Sequence, residues 1–390
     1  MSALSSIPSA LLKIVICSSV LGPHLFGRLY YYKTMGFISF VYRNTFRLHE
    51  NPTMHPEKPE RLAAIDRAVA KSGIGSLLIN TTPCAASEND LSIVHSPSYI
   101  EQIEEAAKRA RNENKLIQLD SDTFMSQQTF EVAKLAAGAS MTAIDTLAKD
   151  DISSSFVAVR PPGHHAMSQR QMGFCIFNNI AIAANYARKH LGHKRVLIID
   201  WDVHHGNGTQ DIFYDDPGIF FISMHQYPHW PYETGWLDEV GVGEGKGFNL
   251  NIPLPPGTGD QGHLRAWDSI IEPVSHEYKP DIILVSAGYD AHQSDYMSNQ
   301  NVTTQGFGML AGRLQKLSQA LDIKTACFLE GGYHTEALAE SVVATLNALA
   351  KAPSQIEEEE SITADQAPEE LESRLQLLRK QFDQYWDCFK

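Results

Sequence analysis

The chain has 390 residues, of which 43% are hydrophobic and 20% are charged, a balance that excludes a disordered chain, a collagen and a low-complexity array. Five cysteines without a Cys-x-x-Cys pair exclude a disulfide scaffold and a cysteine zinc ribbon, so we expect a reducing compartment. Residues 50–350 carry the whole net charge of −14, because the net positive charge of residues 1–49 and the net negative charge of residues 351–390 cancel. An acidic domain of this kind attracts cationic substrates and is not expected to bind nucleic acid directly.

The first 35 residues, which we treat as an N-terminal extension, leave three interpretations open. They are basic and contain no acid, and the uncharged stretch 14–27 is shorter than the ~20 apolar residues that a membrane span needs. The extension is interpreted as a targeting segment, as sequence upstream of a functional start at Met35, or as an ordered arm. We therefore expect a cytoplasmic protein without a membrane span, and import into an organelle directed by residues 1–35 stays open.

Between residues 36 and 352, short apolar runs alternate with longer amphipathic stretches. The runs are continuous, as expected for strands that are covered on both faces. This order predicts an α/β fold: a single three-layer domain with a mainly parallel sheet and helices on both faces. The predicted strands are residues 37–42, 156–159, 196–199, 219–223, 282–285 and 326–329. The predicted helices are residues 59–72, 99–114, 129–148, 178–190, 261–278, 304–321 and 335–350.

Residues 353–390 are predicted to be an acidic linker followed by an amphipathic helix. Residues 357–360 are consecutive glutamates, as expected of a solvated linker. The helix that follows is expected to pack on the body or on a partner, with core packing favoured, and an oligomer stays possible. Its apolar side chains at helical spacing are Leu371, Leu375, Leu378, Phe382, Tyr385 and Phe389.

Residues that can carry chemistry follow four of the predicted strands. Ligands of open parallel sheets bind beyond the carboxyl ends of the strands. Each segment alone is explained as well by a capping Asp or a satisfied core His, but four together on one rim indicate an active site. The four segments are residues 160–165, 200–208, 286–292 and 330–334.

Asp202, His204 and Asp290 are predicted to hold one metal ion. Asp202 and His204 are two residues apart, so in extended chain they face the same way, and Asp290 comes from another strand. One His and two carboxylates leave coordination positions for water and substrate, which is the layout of a catalytic site. This ligand set suits Zn²⁺, with Fe²⁺ or Mn²⁺ as alternatives. Asp200 is a candidate acceptor for the second ring N–H of a histidine.

The adjacent His164 and His165 are expected to point apart, and they are candidates for a general base and a general acid beside an activated water. Tyr333 lies in a Gly-Gly-Tyr turn, from which its hydroxyl could donate to a developing oxyanion. These parts together predict metal-assisted hydrolysis of an amide or an ester.

Because these segments follow one another along the chain in a characteristic order, the chain resembles the zinc-dependent histone deacetylase family, in its class II-like branch. That family has the arginase/deacetylase fold. The resemblance implies one Zn²⁺ per chain and removal of acetyl or other acyl groups from lysine side chains of proteins or peptides. An acetylpolyamine or another small N-acetyl amine is the alternative substrate. The resemblance covers about residues 37–350 and rests on residues 55–62, 160–165, 173–179, 200–208, 286–290 and 330–333.

The resemblance also implies roles for individual catalytic residues. His165 would be the general base and then the general acid, and His164, paired with Asp200, would be its electrostatic partner. Tyr333 would hydrogen-bond the substrate carbonyl and then the oxyanion. Asn207 stands where the class I pattern has Asp, and a neutral partner raises the pKa of His165 less than a carboxylate does, which favours a neutral base.

The substrate-binding residues follow from the same resemblance. Phe174, preceded by Gly173, would form one wall of a tunnel that grips an acyl-lysine stem, and Trp230 would lie near the opposite wall. Asp122 would accept hydrogen bonds from the substrate backbone at the rim. Arg61 would lie near the cavity that releases acetate.

The resemblance further implies structural K⁺ near the metal site. An inner site would be formed, largely through carbonyl groups, by Asp200, Asp202, His204, Ser223 and Met224. An outer site would be formed by Phe213, Asp216, Ile219 and Phe248.

Two rival functions are weighed against this one. A binuclear manganese ureohydrolase shares the fold but needs a carboxylate where this chain has Gly206, which favours a single ion. A catalytically dead module that binds acyl-lysine lacks support, because every part of the machinery is present. His292 is expected to be a second-sphere or surface residue. Met297 stands where polyamine-deacetylating relatives resemble one another in having an acid, which favours a protein substrate.

Overall fold

A computed structural model describes residues 36–351 and 363–390, so the extension 1–35 and the glutamates 357–360 lie outside the described residues. The strands are β1 (Phe37–Val41), β2 (Leu78–Thr81), β3 (Ile117–Gln118), β4 (Phe124–Met125), β5 (Ile152–Val157), β6 (Val196–Asp200), β7 (Ile219–Gln226), β8 (Asn249–Leu254), β9 (Ile282–Ala287) and β10 (Lys324–Leu329). The helices are α1 (Glu60–Lys71), α2 (Glu88–Leu91), α3 (Pro97–Glu113), α4 (Thr129–Leu147), α5 (Asn179–Leu191), α6 (Asn207–Phe213), α7 (Asp260–Ala266), α8 (Glu272–Tyr278), α9 (Thr304–Ala320), α10 (Thr335–Ala350) and α11 (Pro368–Phe382).

One eight-stranded sheet forms the centre, in the order β2-β1-β5-β10-β9-β6-β7-β8. All of its neighbouring strands run parallel, while β3 and β4 form a separate antiparallel pair. One group of packed helices contains α1, α9 and α10, and another contains α4 and α5. The predicted three-layer α/β fold is therefore confirmed.

The predicted strands and helices are all present with shifted ends, but the sequence did not predict β2, β8, the β3–β4 pair, α2 or α6. Strand β8 reads Asn-Leu-Asn-Ile-Pro-Leu, so its asparagines and its proline hide a buried strand. Asn249 and Asn251 are buried because their amide groups both donate to Oε1 of Gln210, at 2.8 and 2.9 Å. The predicted helix 261–278 contains a π-helical turn at Trp267–Ile271 between α7 and α8.

The C-terminal helix packs on the body, against β8 and α7. It buries Leu371, Leu375, Leu378 and Phe382 but ends there, and a short 3₁₀ turn carries Phe389 inward. Beyond the helix, the indole Nε1 of Trp386 donates to the carbonyl of Gly247 at 2.8 Å. Within the described ranges, no helix is both long enough and apolar enough to cross a bilayer.

The strand order explains how distant segments meet. Strands β5, β10, β9 and β6 are consecutive neighbours, and the predicted chemical segments follow these four strands. Since the strands are parallel, their carboxyl ends lie on one rim of the sheet. Asp200 at the end of β6 pairs in register with Ser286 of β9, which brings the segments after these two strands side by side.

Candidate functional site

Three buried side chains form the centre of the site. Asp202 and His204 follow β6, Asp290 follows β9, and one ligand atom from each lies within 4.8 Å of the others. Nδ1 of His204 is 3.0 Å from Oδ1 of Asp202 and 3.1 Å from Oδ2 of Asp290. This is the one group of metal-ligating side chains found among residues 36–351 and 363–390. The structure thus brings the three predicted ligands together.

The hydrogen bonds of this group fit a divalent cation. Oδ1 of Asp290 accepts from the backbone N–H of Val203 at 3.0 Å. Its Oδ2 is buried and accepts no hydrogen bond, because Nδ1 of His204, 3.1 Å away, forms its hydrogen bond with Asp202 instead. Burial and the nearby charge of Asp202 raise the pKa of Asp290 to about 6. Gly331 lines the same space: a Cβ there would lie 2.0 Å from Oδ2 of Asp290. Two buried carboxylates beside an imidazole need a compensating cation, and this donor set suits Zn²⁺.

The two adjacent histidines lie side by side, so the expectation that they point apart is wrong. Their ring centres are 3.9 Å apart. Nδ1 of His164 contacts Oδ2 of Asp200 at 2.9 Å, and Nδ1 of His165 contacts Oδ1 of Asn207 at 2.8 Å. Asp200 ends β6 and Asn207 begins α6, so both rings turn toward the connection between these two elements.

The electrostatic surroundings shift the pKa values of the two histidines in opposite directions. Burial lowers the pKa of His164, but the carboxylates of Asp200 and Asp202 outweigh it and raise that pKa to about 10. Burial also lowers the pKa of His165 well below its usual value, and positive charge on His164 and His204 lowers it further. A dication among the carboxylates would oppose their effect on His164 and would reinforce the neutrality of His165. His165 is therefore suited to accept a proton.

Tyr333 is buried at the site and fixed through its main chain. Its N–H and that of His334 donate to Oδ2 of Asp295, at 2.6 and 2.9 Å. Burial and the charge of Asp290 raise the pKa of Tyr333 well above its usual value, so the phenol keeps its proton and can donate it in a hydrogen bond. The guanidinium carbon of Arg61 lies 5.0 Å from the centre of the ring.

The two predicted tunnel walls both line the site. The ring of Phe174 lies 5.8 Å from that of Tyr333 and 4.6 Å from that of His55, measured between centres. The ring of Trp230 meets that of His165 edge-on at 4.7 Å. Aromatic rings placed in this way suit contact with an aliphatic chain.

Gly173 sits where a side chain has no room. Its φ is +55°, and a Cβ there would lie 2.5 Å from Cδ2 of His165 and 2.6 Å from Cη2 of Trp230. Phe174 has a φ of +70°, which is strained for a residue with a side chain. Its N–H donates to Oγ1 of Thr123 at 3.2 Å, which helps to hold this backbone in place.

Asp122 directly precedes Thr123, the residue that holds the backbone of Phe174. The hydroxyl of Thr123 donates to Oδ1 of Asp122 at 3.2 Å, and the carbonyl of Asp122 accepts from Nε2 of His55 at 3.0 Å. Asp122 is half-buried, and burial together with the neighbouring charge of Asp120 raises its pKa.

Arg61 lies behind the Gly-Gly-Tyr turn. It is fully buried, and its Nε and Nη2 donate to the carbonyls of Gly332 and Glu330, at 2.6 and 2.5 Å. Its Nη1 forms an ion pair with Oε1 of Glu57 at 3.2 Å. The guanidinium group therefore supports the turn that carries Tyr333.

Sequence reasoning assigned no role to Glu330, His229 or Asp295. Oε2 of Glu330 accepts from the N–H groups of Gly163 and His164, at 2.7 and 3.2 Å. Glu330 directly follows β10 just as Asp200 ends β6, so its position could have marked it. His229 and Asp295 lie in loops, and no spacing in the sequence marks them.

His229 and His292 have different surroundings. The ring of His229 stacks on that of the candidate ligand His204, with centres 5.0 Å apart, and its Nε2 donates to the carbonyl of Met297 at 2.9 Å. His292 instead contacts Oγ1 of Thr304 through Nε2 at 3.2 Å and does not belong to the metal-ligating group.

Comparisons with known proteins agree with this geometry. Residues 55–349 match the histone deacetylase domain family. A relative from Oryza sativa subsp. japonica, named histone deacetylase 10, chloroplastic, is 43% identical over 80% of this chain and 74% of its own length. The human polyamine deacetylase HDAC10 is 37% identical over 77% of this chain and 46% of its own length. The crystal structure of the HDA15 HD domain matches with a TM-score of 0.81 at 28% identity, covering 91% of this chain and 97% of that one. The chain therefore belongs to the histone deacetylase family, whose members are hydrolases of acetylated amides.

Proposed function

We propose that the chain removes acetyl groups from lysine side chains of proteins, with one Zn²⁺ held by Asp202, His204 and Asp290. The observation that carries this proposal is the buried Oδ2 of Asp290, which accepts no hydrogen bond and lies beside ligand atoms of the other two residues. When bound, Zn²⁺ would polarise the amide carbonyl and make water more acidic.

The surrounding side chains would carry out the proton transfers. His165, held by Asn207 and kept neutral by burial, would take the proton from the attacking water. The hydroxyl of Tyr333 would donate a hydrogen bond to the oxyanion that forms from the amide carbonyl. His165 would then give the proton to the leaving lysine amine, and acetate would depart. His164, paired with Asp200, would hold positive charge beside His165, which keeps His165 neutral before the reaction and makes it give up the proton readily to the leaving amine.

The surface around the walls favours a protein over a small amine as substrate. The most exposed large hydrophobic side chains of the described residues are Met54, Tyr232 and Tyr296, at 95%, 71% and 64%. Met54 adjoins His55, Tyr232 is two residues from Trp230, and Tyr296 adjoins Met297, so the three belong to loops near the site. We propose that these side chains form a rim that contacts the peptide on either side of an acetyl-lysine, a contact that a linear polyamine would lack.

A small acetylated amine is the second candidate substrate, because one relative in the comparison is named a polyamine deacetylase. The zinc-loaded enzyme should be assayed with acetyl-lysine peptides, acetylated polyamines and longer acyl-lysines, with a hydroxamate chelator as control. We expect the highest kcat/KM on acetyl-lysine peptides. A higher kcat/KM on an acetylated polyamine would overturn the substrate proposal, and two manganese ions per chain would favour the binuclear alternative.

Replacing Asn207 by Asp is expected to make activity more sensitive to acid. A carboxylate beside Nδ1 would raise the pKa of His165, so the base would be protonated over a wider acidic range. The acid limb of kcat/KM should move about one unit to higher pH, so activity falls up to about tenfold at pH values on the acid side of the wild-type limb. The measurement is kcat/KM against pH for both proteins. An unchanged acid limb would contradict the role of His165.

We also propose the two K⁺ sites that the family resemblance implies. The in-register pairing of Asp200 in β6 with Ser223 in β7 supports the inner site, because it lines up main-chain carbonyls from both strands. For the outer site, the carbonyl of Phe213 already accepts from the N–H of Asp216 at 3.1 Å, which forms a turn. Replacing K⁺ by choline should lower the melting temperature; an unchanged value would count against both sites.

The domain limits and the location are proposals too. We propose residues 36–352 as the catalytic domain, residues 353–390 as linker and helix, and residues 1–35 as an extension. The basic, acid-free composition of residues 1–35 and the chloroplastic name of the rice relative support import into an organelle over the cytoplasm. A fluorescent fusion of the whole chain should enter an organelle, while a fusion that starts at Met35 should stay in the cytoplasm; identical distributions would refute import.

A further inference from the structure

The C-terminal helix α11 sends one cationic side chain toward the rim of the sheet. The side chain of Arg374 is only 11% exposed. Its Nη1 donates to the carbonyl of Tyr227 at 2.8 Å and to that of Pro253, in β8, at 3.1 Å. Its guanidinium carbon lies 5.5 Å from the ring centre of Trp236. A largely buried cation is thus held by two carbonyls and an indole face on one side, and by an ion pair of Nη2 with Glu370 of its own helix.

These contacts fall at the two ends of one loop, residues 227–236, which we call the wall loop. Tyr227 opens the loop and Trp236 closes it, and their ring centres lie 4.7 Å apart. Arg374 contacts the carbonyl of the first residue and the ring of the last. It therefore clamps the base of the wall loop, which otherwise has no helix or strand of its own.

The middle of the wall loop forms part of the site. The ring of Trp230 meets the ring of His165 at 4.7 Å and that of His204 at 5.9 Å. The ring of His229 stacks on that of His204. A movement at the base of the loop would therefore change the position of the wall against the catalytic and ligand residues.

Helix α11 can act as a rigid support because it is fixed on both sides of Arg374. Leu371 and Leu378, three residues before and four after it, are buried on the same side of the helix. Ahead of the helix, Oδ1 of Asp365 accepts from the N–H groups of Gly259 and Gly262, both at 2.9 Å. The guanidinium group therefore reaches the loop from an anchored backbone.

We propose that Arg374 is a positioning residue that sets the wall of the acyl-lysine channel from the C-terminal helix; this rests on the proposed function. Without its guanidinium group, two carbonyls lose their donor and the base of the wall loop is released. Binding of the substrate stem would weaken because the wall is no longer held, while His165 and Tyr333 keep their own hydrogen bonds. The effect therefore falls on KM more than on kcat.

The first test compares Arg374→Ala with Arg265→Ala in the full chain. Arg265 is the matched control, because it also forms an ion pair with α11, through Glu372, but lies exposed and away from the wall loop. On an acetyl-lysine peptide we expect Arg374→Ala to raise KM about fivefold to tenfold with kcat within about twofold, and Arg265→Ala to change neither. Arg374→Lys should recover only part of the loss, because an ammonium cannot serve both carbonyls and lie flat on Trp236.

Two further measurements separate positioning from a general loss of stability. Hydrogen exchange of residues 227–236 should quicken in Arg374→Ala but not in Arg265→Ala, and this readout does not depend on the substrate. In a double-mutant cycle, the KM effects of Arg374→Ala and Trp230→Ala should be less than additive, because both act on one wall.

The outcomes are distinct. If the wild-type chain does not turn over acetyl-lysine peptides, the proposed function fails, and hydrogen exchange still decides whether Arg374 holds the loop. If exchange in residues 227–236 is unchanged, or if KM effects add fully in the cycle, the inference is overturned. Should Arg374→Ala not fold, Arg374→Lys provides the same comparisons.

Discussion

Replacing Asp290 by Asn is expected to abolish both metal binding and deacetylation. The Oδ2 of Asp290 is the buried oxygen that accepts no hydrogen bond, and an amide in its place supplies no charge to hold a dication. We expect elemental analysis to find one Zn²⁺ per wild-type chain and none in the variant, and an acetyl-lysine assay to give no detectable turnover.

Asp281→Asn is the matched control for this change. Asp281 precedes the same strand, β9, at its opposite end, where Oδ2 accepts from the N–H groups of Lys194 and Arg195, at 2.7 and 2.9 Å. This variant should keep its metal and its turnover, with at most a modest loss of stability. Full activity of Asp290→Asn, or undiminished activity of the wild-type chain after thorough chelation, would refute a metal-dependent reaction.

Replacing Tyr333 by Phe should slow turnover without removing the metal. The phenol keeps its proton because burial raises its pKa, so it can donate to an oxyanion, and the loss of one such donor costs about 10² to 10³ in kcat. Metal content and the binding of a hydroxamate through the metal should remain. The measurement is kcat on an acetyl-lysine peptide, together with elemental analysis of the same sample.

Tyr289→Phe controls for the loss of a buried hydroxyl. The hydroxyl of Tyr289 contacts Oγ1 of Thr345 at 3.1 Å, so its removal affects stability but not the reacting atoms. We expect kcat of this variant to stay close to the wild-type value. A Tyr333→Phe variant with near-wild-type kcat would show that another group stabilises the oxyanion.

The sequence was sufficient to predict the six inner strands of the sheet and the residues that meet at the centre of the candidate site. Strands such as β6 and β9 can be predicted from their continuous apolar runs alone, because helices cover both faces of the sheet and no polar side chain in these runs needs a distant partner to be buried. Asp200 ends β6, and Asp202, His204 and Asp290 lie within four residues of the end of β6 or β9, so the rule that parallel sheets bind ligands at carboxyl ends brings them together.

Other features depend on contacts between distant residues and could not be predicted. Strand β8 is buried because Gln210 accepts from both of its asparagines, and these partners lie 39 and 41 residues away in the chain. Arg374 contacts Tyr227 across 147 residues. The side-by-side packing of His164 and His165 likewise depends on where Asp200 and Asn207 are placed after folding. No local periodicity encodes such contacts.

The position of β8 at the border of the sheet has a practical consequence for anyone who shortens this chain. The match to the family ends at residue 349, before α11, yet α11 packs against β8 and Arg374 bonds to the carbonyl of Pro253. An uncovered outermost strand offers free backbone groups on which another chain can add a strand. An expression boundary drawn at residue 349 would therefore favour self-association, whereas one that retains α11 would not.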